Sequence, residues 1–100
     1  MRVLLVCQCG MSAYVLANKM MNSAKILGVD NFFIEGKSSI KLEEDLGRFD
    51  LCLIGPQVKY ALEGIRANLK IPVEVISKEA YRYCDGEKIL KQAIYLYRNK

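Results

Sequence analysis

Val3-Leu4-Leu5-Val6 is a short, continuous branched-apolar run, the pattern of a strand buried on both faces. The stretch after it changes period. Leu16, Met20, Ala24 and Leu27 recur at helical spacing, and Gly28 followed by Val29 makes a C-terminal cap, so the pattern predicts a helix over 12–27. Asn31-Phe32-Phe33-Ile34-Glu35 reads as a second strand, and Ser38-Ser39 opens a short helix through Leu46. Asp50-Leu51-Cys52-Leu53-Ile54 is a third buried strand, stopped by Gly55-Pro56. Val58, Ala61, Leu62, Ile65 and Leu69 then mark the apolar face of a helix, the clearest in the sequence. Pro72-Val73-Glu74-Val75-Ile76 supplies a fourth strand, with proline at its start where the missing donor costs least. Asp85-Gly86 begins a terminal helix with Ile89, Leu90, Ala93, Ile94 and Tyr97 on one side and Lys91, Arg98 and Lys100 kept wet.

Strands alternating with helices imply an α/β fold, because a right-handed crossover of a dozen or more residues joins parallel neighbours. The expected architecture is a single open four-stranded parallel sheet, order 2-1-3-4, with helices on both faces. That order puts the switch point between the first and third strands, where ligands of open α/β sheets bind. The loops after Val6 and after Ile54 then become neighbours. Gly55, Pro56 and Gln57 would rim the same crevice as Cys7, about fifty positions earlier in the chain.

Length and composition narrow the class. One hundred residues, 52% of them hydrophobic, make one domain over 1–100 that buries somewhat over ~60% of its unfolded surface without disulfides or a structural metal. The four cysteines are therefore not needed as staples. Only five apolar residues separate Arg2 from Gln8, too few for a signal-peptide core or a membrane span, so the expectation is a cytoplasmic chain with reduced thiols. The net charge of +4 is not concentrated: residues 51–100 hold nine basic and five acidic side chains spread as on solvated helix faces. That spread argues against a nucleic-acid groove. A mildly basic surface suits an acidic or phosphorylated protein partner.

The chemistry is concentrated at Cys7-Gln8-Cys9-Gly10-Met11-Ser12-Ala13. Cys7 ends a buried strand, precedes a glycine turn and stands at a helix start. There the unpaired N–H groups and the dipole, worth ~0.3–1 kcal/mol, draw a thiol toward thiolate and also attract an anion. Gly10 lets backbone approach a phosphate, while Ser12 either donates a hydroxyl bond or caps the helix. Met11 reads as packing. Cys52, in mid-strand, reads as a small core hydrophobe, and Cys84, beside a turn, as an incidental thiol. Gln57 and Tyr60 are candidates for a partner-facing rim, though Gln57 also suits a helix start. Cys7 and Cys9 also admit a non-enzymatic redox or metal-binding module, although two thiolates without histidine make an incomplete zinc site.

With Leu53-Ile54-Gly55-Pro56-Gln57-Val58, Pro72-Val73-Glu74-Val75-Ile76 and Asp85-Gly86, the Cys7 loop resembles the lactose/cellobiose (chitobiose) class of enzyme IIB components of the bacterial sugar phosphotransferase system. The resemblance spans nearly the whole chain. It implies a phosphotransferase in which Cys7 takes a phosphoryl group from a phosphohistidine on a IIA partner. The group then passes to a sugar, of the β-glucoside or galactoside disaccharide class, bound by a membrane IIC partner. It implies no cofactor and no metal, and a location in the cytoplasm with transient visits to the inner face of the membrane. The absence of histidine fits, since the imidazole donor belongs to the partner. The family loop usually carries small residues where Gln8 and Cys9 stand and a hydroxyl residue where Ala13 stands. The core also resembles low-molecular-weight tyrosine phosphatases, whose loop has cysteine, five residues, then arginine. Position 13 here is alanine, which removes the bidentate clamp a hydrolase would use.

Overall fold

The computed structural model describes residues 1–8, 10–38 and 47–99. Strand β1 (Arg2–Val6) leads into helix α1 (Gly10–Leu27), β2 (Phe33–Lys37) and β3 (Leu51–Ile54). A 3-10 segment (Pro56–Ala61) then runs into α2 (Leu62–Leu69), followed by β4 (Val73–Val75), α3 (Lys78–Arg82) and α4 (Gly86–Arg98). The four strands are parallel in the order β2-β1-β3-β4, as the alternation of patterns predicts. Leu5, on the central strand, pairs with Gly36 on one side and Leu53 on the other.

Side chains alternate across the sheet, and the two sets build two cores. Val3, Leu5 and Cys7 join Leu51 and Leu53 beneath α1 and α4, where Leu16, Met20, Ile89 and Ala93 close the layer. Leu4 and Val6 join Cys52, Ile54, Leu69 and Val73 on the opposite face, with Val58, Leu62 and Ile65 packed against them. Each fully buried leucine contributes about 1.5–3 kcal/mol, which is why the two central strands carry almost nothing else. Cys52 is one of these core residues and lies on the face opposite Cys7.

The helix α1 stops as its sequence indicates. The Val29 N–H donates to Ala24 O (2.8 Å) and the Gly28 N–H to Lys25 O (3.3 Å), the paired bonds of a Schellman cap, with Gly28 at φ 72°. The apolar stripe ends earlier than its spacing suggests, since Leu27 in the last turn is exposed. At the other end α1 begins at Gly10, two residues before the expected start.

Other elements depart from expectation for local reasons. The second strand starts at Phe33 because Asn31 takes a left-handed conformation (φ 56°) that no strand accommodates. The expected helix from Ser38 to Leu46 lies, beyond Ser38, outside the described residues. The single helix predicted across Val58 to Leu69 has the right buried face but two geometries. Val58 (φ −108°, ψ 20°) breaks the helical path, so the segment begins as a 3-10 turn behind Pro56 and becomes α-helical at Leu62. Helix α3 is absent from the sequence reading. In α4, Ile89, Leu90 and Ala93 are buried as predicted, whereas Tyr97 is exposed.

Candidate functional site

Three elements meet at the carboxyl end of the sheet. The Cys7 N–H donates to Lys37 O (3.0 Å), the Gly55 N–H to Val6 O (2.8 Å) and the Ile76 N–H to Ile54 O (2.8 Å). The ladder therefore continues one residue past β1, β3 and β4, and fixes the first residue of each outgoing loop. Cys7 is fully buried, with its side chain on the α1 and α4 face. A Cβ added to Gly55 would lie 3.5 Å from Cys7 Sγ, 3.4 Å from Tyr81 Cε1 and 3.0 Å from Gln57 Oε1. Residues that follow β1, β3 and β4 thus converge on one point, and glycine leaves room for them.

Helix α1 sets the electrostatics. Its first turn contains no acidic side chain, so the N–H groups and the positive dipole end have no carboxylate of their own. Beside it lies a cleft of about 250 Å³ lined by Met11, Ser12, Val15, Leu16, Tyr81 and Cys84. A second cleft, about 680 Å³, is lined by Pro56, Gln57, Lys78, Tyr81, Arg82 and Cys84. Tyr81 and Cys84 border both. Among the described residues that line it, the larger cleft carries two cations and no acid, a setting that suits an anionic group.

The residues singled out from sequence divide clearly. Cys7, Gly55, Pro56 and Gln57 come together as the strand order requires. Gln8 is exposed, and Cys9 lies outside the described residues. Gly10 is the first residue of α1, and Met11, 77% exposed, lines the smaller cleft instead of packing inward. Ser12 is the third residue of α1, inside the first turn, so it is not the cap. Its half-buried side chain borders the cleft. Ala13 is not loop surface: it is fully buried in the core of α1 against β2. Tyr60 is 87% exposed and is not among the described residues lining either cleft.

Helix α3 supplies what the sequence reading missed. Ser77 caps it by accepting the Ala80 N–H (3.1 Å), and Lys78, Tyr81 and Arg82 project to the clefts from this one turn and a half. The signal was present as a serine followed by Glu79 in the first turn. It was hidden because five residues are too few to show a period. Among the described residues no group of three or more His, Cys, Asp or Glu could hold a metal ion, and no helix is long and apolar enough to cross a membrane.

Known proteins share this fold. The family model described as the phosphotransferase system, lactose/cellobiose-specific IIB subunit, matches residues 2–92. The chain belongs to that family. It is 34% identical over 102 residues to the oligo-β-mannoside-specific EIIB component of Bacillus subtilis (strain 168), covering 99% of this chain and 98% of the relative. It is 30% identical over 99 residues to the cellobiose-specific EIIB component of Lactococcus lactis subsp. lactis (strain IL1403), covering 91% of each chain. Among solved structures, the cellobiose-specific IIB component of Borrelia burgdorferi is similar at a TM-score of 0.80 and 35% identity, covering 100% of this chain and 94% of that one. The lactose-specific IIB domain of Streptococcus pneumoniae shares the fold at a TM-score of 0.83 and 20% identity, covering 97% of each chain. IIB components are sugar phosphotransferases of the phosphotransferase system. Membership implies IIA and IIC partners and a sugar of the lactose/cellobiose type.

Proposed function

We propose that Cys7 is the phosphoryl acceptor of this IIB component. It receives the group from a phosphohistidine on the IIA partner and delivers it to a sugar of the β-glucoside or galactoside disaccharide class held by the membrane IIC partner. The observation that carries this reading is the position of Cys7. It directly follows the central strand at the sheet's switch point and comes three residues before α1, whose first turn carries no acidic side chain. The thiolate attacks phosphorus in line, the S–P bond forms as the N–P bond to imidazole breaks, and the electron pair stays on the partner's imidazole. Backbone N–H groups of the loop and first turn, residues 8–13, with the Ser12 hydroxyl, hold the equatorial oxygens as their charge redistributes. Gly10 keeps that approach unobstructed. The rim for the partners is formed by Gly55, Pro56 and Gln57 on one side of Cys7, with Tyr60 beyond them and Met11 on the other. The protein works in the cytoplasm and meets the inner face of the membrane only while engaged with IIC.

The test is intact-protein mass spectrometry under non-acidic conditions, after incubation with phosphoenolpyruvate, the general phosphotransferase proteins and a panel of IIA partners. One phosphoryl increment is expected on the wild type and none on Cys7→Ser. No increment on the reduced wild type with charged donors would overturn the assignment. Transfer onward is read with membranes bearing candidate IIC proteins and a sugar panel that includes cellobiose, lactose, galactose and an oligo-β-mannoside, since the names of the relatives and of the similar structures divide among these sugars.

A further inference from the structure

Tyr81 lies in the neighbourhood of the sulfur and lines both clefts. Its Cε1 and Cys7 Sγ lie 3.4 and 3.5 Å from the same point above Gly55, and it packs partly buried against the core cluster that contains Cys7. It borders the smaller, mainly apolar cleft at the α1 start and the larger cleft beneath Lys78 and Arg82. Its backbone is held in place, because its N–H donates to Ser77 O (3.0 Å) and its carbonyl accepts the Cys84 N–H (3.1 Å). Cys84 itself sits at φ 50°, directly after the Tyr83 cap that ends α3.

We propose that the ring of Tyr81 is a positioning residue that keeps water away from the Cys7 sulfur and its phosphoryl adduct, so that the group is handed to a partner and not lost to solvent. The inference rests on Cys7 being the phosphoryl acceptor. A carrier faces one competing reaction: a water oxygen forms a bond to phosphorus, the S–P bond breaks, the electron pair returns to Cys7 as thiolate, and inorganic phosphate and a proton leave to solvent. Excluding water is how a site suppresses that side reaction. Truncating the ring removes the carbon that stands beside the sulfur above Gly55 and gives water room there, whereas Tyr81→Phe keeps that carbon in place.

Two readouts test this role, on Tyr81→Ala, Tyr81→Leu and Tyr81→Phe. The first is the alkylation rate of Cys7 in the reduced protein by iodoacetamide, site-resolved by peptide mass spectrometry. The second is the lifetime of the phosphoryl adduct after the donors are removed, followed by release of inorganic phosphate. Tyr81→Ala is expected to raise both the alkylation and hydrolysis rates on the order of tenfold, Tyr81→Leu less, and Tyr81→Phe to leave both near wild type. If Tyr81→Ala does not fold, as its melt will show, the Leu-to-Phe comparison decides on the same criterion. An adduct on wild type whose lifetime is unchanged by losing the ring overturns this inference alone. So does a Phe variant as leaky as the truncated one. No adduct on wild type overturns the carrier assignment and this inference with it, while the alkylation rates then report whether the ring covers the thiol at all.

Discussion

Gly36→Ala is the sharpest test of how α1 is seated. Gly36 lies in β2 opposite Leu5, and a Cβ added there would meet Ala13 O at 2.7 Å, Ala13 C at 2.8 Å and Ala13 Cβ at 3.0 Å. The obstacle is backbone, so no rotamer change relieves it and the first turns of α1 must lift from the sheet. Overpacking of this kind costs about 1–3 kcal/mol, and a backbone clash belongs in the upper half of that range. The reduced freedom of alanine in the unfolded chain offsets about 0.4–1 kcal/mol. The net loss is about 2 kcal/mol, or a fall of roughly 8–16 °C in melting temperature for a domain of this size. Gly64→Ala is the internal control. Gly64 lies inside α2 with no heavy atom within 4 Å of the added carbon, so the same substitution stabilises there by roughly 0.5–1 kcal/mol. Circular-dichroism melts paired with urea unfolding read both variants. Gly36→Ala melting at or above the wild type, or both variants moving in the same direction, would refute the close approach of β2 to α1.

Two other substitutions report on different parts of the molecule. Asp85→Ala removes the side-chain bond from the Lys88 N–H (3.1 Å) that caps α4, and is expected to cost about 0.5–2 kcal/mol, seen as a melting point lowered by several degrees. An unchanged melt would show that the cap is not coupled to global stability. Cys9→Ser is expected to leave phosphoryl acceptance mostly intact when measured beside Cys7→Ser, because the assignment places the nucleophile on Cys7; equal loss in both variants would move the chemistry to Cys9.

The sheet was readable from sequence because its central strands are buried on both faces, and such strands admit little but branched apolar residues. Val3 to Val6 and Leu51 to Ile54 therefore announce themselves, and their alternation with helical patterns leaves few topologies. Residue roles near the site were less legible, because they depend on contacts between segments. Ala13 looks like a loop position by its distance from Cys7, yet α1 begins at Gly10 and turns that side chain into the core against β2. Met11, by contrast, looks like core material and is exposed at the cleft. Tyr81 has no motif at all. Its importance arises only because β4 lies next to β3, which brings the following turn beside Gly55 and Cys7.

The burial of Ala13 also bears on why this fold, which resembles that of a hydrolase, suits a carrier. In the phosphatase loop pattern the sixth residue after the cysteine is arginine, whose guanidinium clamps two phosphate oxygens. In this chain that position is filled by a methyl group with no exposure, and the strand opposite it is glycine so that helix and sheet can touch. The space an arginine would need is occupied by the packing that holds α1 in place. Positive charge enters instead from Lys78 and Arg82 at the edge of the larger cleft, on exposed side chains able to follow an incoming anion. Under the proposed chemistry, a phosphoryl group on Cys7 is held chiefly by backbone donors and the helix dipole, which act on the bound anion without gripping it bidentately. Such a site stabilises the adduct moderately and leaves it able to react with a partner's imidazole or a sugar hydroxyl. Transfer in both directions requires that balance, because an adduct stabilised too strongly could be formed but not passed on.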